Sequence, residues 1–408
     1  MTDEPHQVTC CIAGGGPAGI MLGFLLARAG IAVIVLEKHR DFLRDFRGDT
    51  IHPSTLEIMH ELGLLETFLA RPHQELRELR GIVGDSEIKL ADFAHLPTRC
   101  RFIALMPQWD FLNFLAEAGS RFPGFHLGME SEVTDLVEEA GRIVGVRVRT
   151  PDGTFEIRAD LVVGADGRHS LVRERAGLRV NNLGAPIDVL WMRLSKSPGD
   201  PSQSAGRINY GRLLVMLDRG DYWQCAFVIR KGGFDAIRER GIELFRDEIV
   251  RIAPFLRDRV AELREWDDVK LLTVTVDRLQ RWWRPGLLCI GDCAHAMSPI
   301  GGVGINLAIQ DAVAAANILA VPLRNGRLTD ADLEAVQRRR TLPTRLIQAI
   351  QVAVQERVLD RVLGSDKPIT APWPLRLFNH LPWLARIPAR LVGLGFRPEH
   401  VRSPSAQS

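Results

Sequence analysis

The fold is decided near the start of the chain by the stretch VTCCIAGGGPAG, Val8–Gly19. Its first six residues predict a short buried strand, and its glycines follow the spacing GxGxxG. Ile20–Ala29 predicts an apolar helix that stops at Gly30, and Ile31–Leu36 predicts a second strand. This order of strand, glycine turn, helix and strand predicts a Rossmann-like βαβ unit in an α/β fold.

The glycine turn predicts a dinucleotide site. A pyrophosphate needs close approach to the backbone and a helix N-terminus directed at its charge, and side chains at Gly14, Gly16 and Gly19 would block both. We expect Pro17 and Ala18, between these glycines, to belong to the same cradle. A tight turn without a ligand is the alternative.

A carboxylate follows at the end of the second strand. Glu37 lies eighteen residues after Gly19, where it can accept hydrogen bonds from the ribose of an adenosine, and we group the neighbouring Lys38 with it. This first motif does not by itself separate FAD from NAD.

A second glycine-rich motif follows an apolar strand late in the chain. It runs from Gly291–His295, GDCAH, through Pro299 to Gly301–Asn306, GGVGIN. An Asp at a strand end can accept hydrogen bonds from a polyol such as the ribitol of a flavin, and a helix start presents N–H groups to the flavin pyrimidine. The alternative is a turn with an N-capping Asp. The candidate cofactor ligands here are Gly291, Asp292, Pro299, Gly302, Gly304, Ile305 and Asn306.

A third motif, GADGRHSLVR at Gly164–Arg173, follows the predicted strand Leu161–Ala165. An ordinary Asp–Gly turn explains this motif equally well by itself.

Together the three motifs resemble the para-hydroxybenzoate hydroxylase-like flavoprotein monooxygenases, the group A aromatic hydroxylases, over about residues 8–320. The resemblance implies that Arg47 and Gln108 contact FAD and that Pro299 lies beside the flavin ring. It associates Asp166 and Gly167 with both FAD and NAD(P)H.

The same resemblance implies a reaction in two halves. NAD(P)H reduces a non-covalently bound FAD, and the reduced flavin reacts with O2 to a flavin hydroperoxide, which transfers one oxygen atom to a small, aromatic or phenolic substrate. Because there is no second GxGxxG turn, we expect NAD(P)H to visit transiently near Asp166, Arg168 and Arg44. Epoxidation, dehydrogenation and isoprenoid reduction remain alternatives within the fold, and a non-catalytic FAD-binding protein is the alternative outside catalysis.

The expected architecture has two interleaved domains. A Rossmann-like FAD-binding domain, with a parallel sheet and an antiparallel meander, takes residues 1–72, 98–182 and 277–345. An inserted mixed or antiparallel sheet that binds substrate takes residues 73–97 and 183–276. A C-terminal helical segment takes residues 346–408.

Catalytic side chains are harder to predict, because the flavin carries the chemistry. His52 and His295 are candidates for proton transfer beside Pro299, although a structural role explains either histidine as well. The candidate substrate-lining residues are Trp191, Arg193, Tyr210, Trp223 and Phe227.

Composition limits the other possibilities. The 408 residues carry a formal net charge of +2, which gives no reason to expect nucleic-acid binding. The six cysteines show no CxxC pair, so we expect reduced thiols and no metal site. Without an uninterrupted apolar run of about eighteen residues, no membrane span is expected. We expect a cytoplasmic monomer or homodimer with a small-molecule substrate.

Overall fold

The computed structural model describes residues 6–43, 50–201, 204–359, 362–363 and 367–406. Within these residues the strands are β1 (His6–Ala13), β2 (Val33–Leu36), β3 (Thr50–Ile51), β4 (Gln74–Leu76), β5 (Glu78–Val83), β6 (Ser86–Asp92), β7 (Ile103–Leu105), β8 (Phe125–Gly128), β9 (Glu132–Glu139), β10 (Arg142–Thr150), β11 (Gly153–Gly164), β12 (Val180–Asn182), β13 (Ile187–Ser195), β14 (Ala205–Asn209), β15 (Arg212–Asp218), β16 (Tyr222–Arg230), β17 (Lys270–Leu272), β18 (Asp277–Leu279), β19 (Trp283–Arg284) and β20 (Leu287–Cys289). The α-helices are α1 (Pro17–Arg28), α2 (Pro53–Glu61), α3 (Leu65–Leu69), α4 (Gln108–Gly119), α5 (Leu171–Arg175), α6 (Phe234–Glu239), α7 (Ile242–Ile252), α8 (Gly304–Arg324), α9 (Asp330–Val354), α10 (Trp373–His380) and α11 (Arg386–Gly393).

The larger sheet has the order β19-β20-β11-β1-β2-β8, and β10 and β9 continue from β11. Strands β1, β2, β8, β11 and β20 are parallel to one another. Strand β11 has two roles, because its first half pairs antiparallel with β10 while its second half lies parallel between β1 and β20. The last strand of the antiparallel meander and the predicted strand Leu161–Ala165 are therefore one continuous strand.

The helices that pack against the larger sheet follow the apolar pattern of the sequence. Helices α1, α4 and α8 contact one another or the sheet, and α1 is buried along nearly its whole length. Helices α2 and α3 are separate, because Gly63 takes a left-handed φ of +71° and ends α2.

The second body is a seven-stranded mixed sheet of order β17-β13-β16-β15-β14-β5-β6. Helices α6 and α7 cover one face, where a core cluster contains Phe227 and Phe245. The other face carries a separate apolar cluster that includes Val228 and also Ile300, from the second glycine motif. A small sheet of order β3-β7-β4 adjoins the two. The expected fold class, with its inserted mixed sheet and C-terminal helices, is confirmed.

One segment, Ile300–Arg324, is long and apolar enough to cross a membrane by length and composition alone. In that window 83% of the residues are buried inside the protein, as in the core helix of a folded domain.

Candidate active site

Two glycines of the first turn are required by the packing of the protein itself. Gly14 has a φ of +110°, and a Cβ there would lie 2.4 Å from the carbonyl oxygen of Ala165. A Cβ on Gly19 would lie 1.9 Å from the carbonyl oxygen of Gly14. These two positions therefore demand glycine whether or not a ligand binds.

Gly16 is different, because the protein gives no reason for a glycine there. A Cβ on Gly16 would meet no heavy atom within 4 Å, and its φ of −73° is open to any residue. Gly16 is the N-cap of α1, with Pro17 at the first helical position. The open space thus lies before free helix N–H groups, where a pyrophosphate gains most from the helix dipole. Ala18 is buried behind the turn.

Glu37, directly after the second strand, is hydrogen-bonded to this glycine turn. One carboxylate oxygen accepts the Gly15 N–H at 3.1 Å, and the other accepts the His39 N–H at 3.1 Å. The side chain is held beside the glycine turn, while the neighbouring Lys38 is exposed.

The second glycine motif packs against the first. Gly291 has a φ of +59°, and a Cβ there would lie 3.1 Å from the Cβ of Ala18 and 3.3 Å from that of Ala308. Asp292 follows in a 3₁₀ turn and is exposed. The strand end that bears Asp292 is thus seated against the start of α1, so the two motifs line one region.

A buried network of charged side chains is hydrogen-bonded to the second motif. Asp311, wholly buried in α8, accepts the Gly291 N–H at 3.0 Å and the Arg340 Nε–H at 2.8 Å. Its third partner is His295 Nε2 at 2.5 Å. Burial would raise the pKa of the Asp311 carboxyl, but His295 and Arg340 hold that pKa below its usual value. His295 therefore positions this motif.

Asp311 was missed in the sequence analysis. Its signal was a lone acidic residue inside the apolar run Ile305–Ala316, where an ionised carboxylate requires a buried partner.

The loop Pro299–Gly304 completes the region. Gly301 and Gly302 have φ values of +78° and +63°, and a Cβ on Gly302 would lie 2.5 Å from Thr50 Oγ1. Thr50 Oγ1 donates a hydrogen bond to the Gly302 carbonyl at 3.0 Å. Gly304, which begins α8, is open like Gly16, since nothing lies within 4 Å of its Cβ position.

The Asn306 side chain forms hydrogen bonds within the protein itself. Its Oδ1 accepts from the His52 N–H at 2.9 Å and from Thr55 Oγ1 at 2.7 Å, and its Nδ2 donates to the Thr50 carbonyl at 3.1 Å. Any contact of Asn306 with a cofactor is thus left to its backbone. Ile305 is buried beside it.

His52 is wholly buried at the N-cap of α2. Its Nδ1 lies 2.7 Å from the Val392 carbonyl, which can only accept, so Nδ1 carries the proton. Nε2 is then a bare acceptor, and it has no partner among the described residues. Burial lowers the pKa of His52 to about 4, so the ring is neutral at physiological pH.

The Asp–Gly motif has a local structural use. Asp166 accepts hydrogen bonds from Ser170 Oγ at 2.5 Å and from the Val172 N–H at 3.1 Å, and these bonds cap α5. Gly167 has a φ of +88°. Arg168 donates to the Thr273 carbonyl at 3.4 Å.

The other positions carried over from the resemblance are placed as follows. Gln108 is the first residue of α4 and half-buried. Arg44 and Arg47 lie outside the described residues.

The five substrate candidates divide between the two faces of the mixed sheet. Trp191 belongs to the apolar cluster that contains Ile300, and Arg193, two residues along the same strand, shares its face. The Arg193 guanidinium lies 3.8 Å from the ring centroid of Tyr222 and is exposed towards the strand end.

The remaining three candidates are corrected. Trp223 and Phe227 are buried in the core between the sheet and α7, on the face opposite to Trp191. Tyr210 lies in the turn between β14 and β15 and packs under Arg251 of α7, 4.1 Å from the ring centroid. Their side chains therefore face away from the cluster that contains Ile300.

The residues present fit FAD. The open Cβ positions of Gly16 and Gly304 mark two places where a ligand can approach a helix N-terminus, and Asp292 of the second motif is exposed. An extended dinucleotide has its pyrophosphate and its flavin at two such places.

Comparison with known proteins defines the family. Residues 7–349 match the family described as FAD binding domain, and the chain belongs to that family. It is 35% identical over 365 residues to 6-methylpretetramide 4-monooxygenase of Streptomyces rimosus, a match that covers 88% of this chain and 87% of that one. The predicted FAD cofactor and the FAD-dependent monooxygenase class, with NAD(P)H and O2 as co-substrates, are thereby confirmed.

Two further matches show the range of the fold. Dialkyldecalin synthase of Streptomyces rugosporus is 30% identical over 75% of this chain, which spans 63% of that protein. The structure of p-nitrophenol 4-monooxygenase PnpA from Pseudomonas putida superposes with a TM-score of 0.75 over 96% of this chain and 100% of that one, at 19% identity, which shows the shared fold.

Proposed function

We propose that this enzyme hydroxylates a polycyclic aromatic, phenolic compound of the polyketide type. The observation that carries the proposal is the apolar sheet face opposite the second glycine motif. Its cluster joins Ile300 of that motif to side chains of four strands, β13, β15, β16 and β17. The strand residues on this face are Ile187, Val189, Trp191, Leu213, Val215, Ala226, Val228 and Leu272.

The character of this face favours a broad, flat ring system over a small charged ligand. The side chains of the cluster are apolar or aromatic, and the polar side chains of this face, Arg193 and the buried Gln224 opposite it, lie beyond Trp191 towards the strand end. A ring system gains roughly 25 cal/mol for each Å² of apolar surface that it buries there. The relative named for 6-methylpretetramide supports this substrate class.

The chain's own residues have the following roles in the proposal. The glycine turn from Gly14 to Gly19, which leads into α1, binds the pyrophosphate, and Glu37 and Asp292 accept hydrogen bonds from the hydroxyl groups of the ribose and the ribitol. The start of α8, from Gly304, donates N–H groups to the flavin pyrimidine, whose charge these donors stabilise. When bound, FAD supplies electron transfer from NAD(P)H and oxygen activation. The apolar sheet face orients the ring and excludes water.

Other assignments are also proposals. Lys38, Arg47, Gln108 and Pro299 complete the cofactor shell, and NAD(P)H approaches Asp166 and Arg168. We propose a cytoplasmic enzyme that acts as a monomer or homodimer.

Oxygen consumption driven by NAD(P)H tests the activity. We expect hydroxylated polycyclic phenols to raise the rate above the substrate-free rate, with monocyclic phenols much weaker, and a product heavier by one oxygen atom. Val215→Phe adds a larger side chain to the apolar sheet face and leaves less room for the substrate there. This variant should therefore have a lower kcat/KM for the polycyclic substrate. Leu271→Phe is the matched control, because Leu271 is exposed on β17.

The alternative within the fold is a synthase activity, which the name of the relative dialkyldecalin synthase indicates, and the comparisons favour the monooxygenase over it. Such an enzyme would show no substrate-dependent consumption of O2 or NAD(P)H. The same assay therefore decides between the two functions.

A further inference from the structure

We propose that the outer surface of α10, α11 and the turn between them binds the surface of an anionic lipid membrane. We call this surface, which comprises Trp373, Leu377, Leu381, Trp383 and Ile387 with the arginines around them, the C-terminal face. The proposal is independent of the substrate class, and it concerns binding to a membrane surface and not a membrane span.

The first argument is the exposure of large apolar side chains. Trp373 is 75% exposed, Trp383 53% and Ile387 54%, and Leu377 and Leu381 are exposed beside them in the chain. Single exposed apolar residues are ordinary on a protein surface. Five within fifteen residues, two of them tryptophans, are not, and tryptophan is enriched at the interface between lipid and water.

The second argument is that these residues share one side of a fixed structure. Helices α10 and α11 both contact the edge strand β6. Phe378 packs with Val83 and Ile88 beneath α10, and Ala389 packs with Phe93 beneath α11. With the inner side of both helices occupied by the sheet, the exposed tryptophans and aliphatic residues face outwards.

The third argument is charge. Residues 367–398 contain five basic residues and no Asp or Glu, although the whole chain has a net charge of only +2. Arg376, Arg386 and Arg390 lie on α10 and α11, are exposed, and form no ion pair with a described residue. Arginine beside exposed tryptophan on short amphipathic helices is the composition of an interfacial anchor that prefers anionic lipids.

The C-terminal face is also connected to the proposed substrate region. Leu363, ten residues before Trp373, packs in the cluster that contains Ile300 and Val228. A membrane bound at the C-terminal face would hold the enzyme where apolar aromatic compounds partition.

Flotation of the FAD-loaded enzyme with vesicles tests the proposal. We expect it to float with vesicles of phosphatidylcholine mixed with phosphatidylglycerol, less at high salt, and not with phosphatidylcholine alone. Arg376→Gln, Arg386→Gln and Arg390→Gln together should weaken binding by about a hundredfold. The double variant Trp373→Ser and Trp383→Ser should lose flotation and keep its FAD content.

Matched controls separate this surface from a general effect of charge or apolarity. Arg121, Arg324 and Arg327 are exposed arginines outside the C-terminal face, and their combined change to Gln should leave flotation unaltered. Leu271→Ser, at the opposite edge of the mixed sheet, is the apolar control.

Several outcomes would overturn the proposal. These are an enzyme that floats with neither kind of vesicle, equal flotation with both, or flotation that survives both sets of changes in the C-terminal face. A lipid-independent dimer that only those changes dissociate, without flotation, would identify a second copy of this chain as the occupant instead.

Discussion

Changing Gly16 to Ala should separate cofactor binding from folding. An alanine Cβ would meet no heavy atom of the protein within 4 Å, and the backbone at Gly16, with φ −73° and ψ −176°, is extended and allowed for alanine. Replacing a glycine at such a position stabilises a protein by roughly 0.4–1 kcal/mol through the unfolded state. We therefore expect the free energy of unfolding of the apoprotein to stay level or rise slightly.

FAD affinity should fall in the same variant. The added methyl group stands before the first turn of α1, where the free N–H groups are proposed to bind the pyrophosphate. The loss of one hydrogen bond to a charged group costs roughly 1.5–3 kcal/mol. That loss corresponds to a dissociation constant for FAD that is about ten- to a hundredfold larger.

The assay is a fluorescence titration of the deflavinated protein with FAD, paired with urea unfolding of the same sample. Gly199→Ala is the matched control, because Gly199 is also open and exposed but lies far along the chain, and it should change neither quantity. Gly14→Ala should fail to fold, since its Cβ would lie 2.4 Å from a backbone oxygen. Unchanged FAD affinity in Gly16→Ala would refute the assignment of this glycine turn as the binding site of the FAD pyrophosphate.

Three further predictions concern the cofactor, the buried histidine and the thiols. Asp292→Ala should weaken FAD binding about ten- to a hundredfold and leave the unfolding curve of the apoprotein nearly unchanged, because the exposed carboxylate is assigned to cofactor hydroxyls; equal affinity would show that the motif is misread. Because burial lowers the pKa of His52 from its usual 6.5 to about 4, its contribution to stability should be complete above pH 6.5 and be lost as the pH falls towards 4, by about 3 kcal/mol. Urea unfolding across this range should show a shallower pH dependence in His52→Gln, and identical slopes would contradict the assignment. All six cysteines are buried, and burial raises the pKa of Cys11 and Cys225 to about 12. Ellman's reagent should therefore label no thiol in the native enzyme and six thiols after denaturation. Rapid labelling of the native protein would contradict this prediction.

The sequence predicted well whatever depends on local backbone geometry. The positive φ at Gly14 and the packing at Gly19 follow from a strand that must turn at once into a helix, so spacing reveals them. The same holds for the turn at Gly291 and the start of α8 near Gly304.

The sequence could not predict which face of the mixed sheet looks towards the second glycine motif. Alternation separates Trp223 and Phe227 from their neighbours, but both faces of this sheet are apolar. The face that carries Trp191 is known only from the pairing of Trp191 with Ala226 and from the contact of their cluster with Ile300. A residue's side of the sheet is thus a tertiary property.

Long-range polar partners were hidden for the same reason. Asp311 and Arg340 are 29 residues apart and lie on different helices, and His52 finds its acceptor 340 residues away at Val392. Spacing along the chain carries no record of such contacts.

The most direct test is incorporation of isotopically labelled O2. The purified enzyme, loaded with FAD, would be supplied with NAD(P)H, labelled O2 and a hydroxylated polycyclic aromatic compound that stimulates oxygen consumption. We expect each product molecule to gain one labelled oxygen atom. A product without the label, or conversion that proceeds without NAD(P)H and O2, would contradict the assignment of this chain as an FAD-dependent monooxygenase.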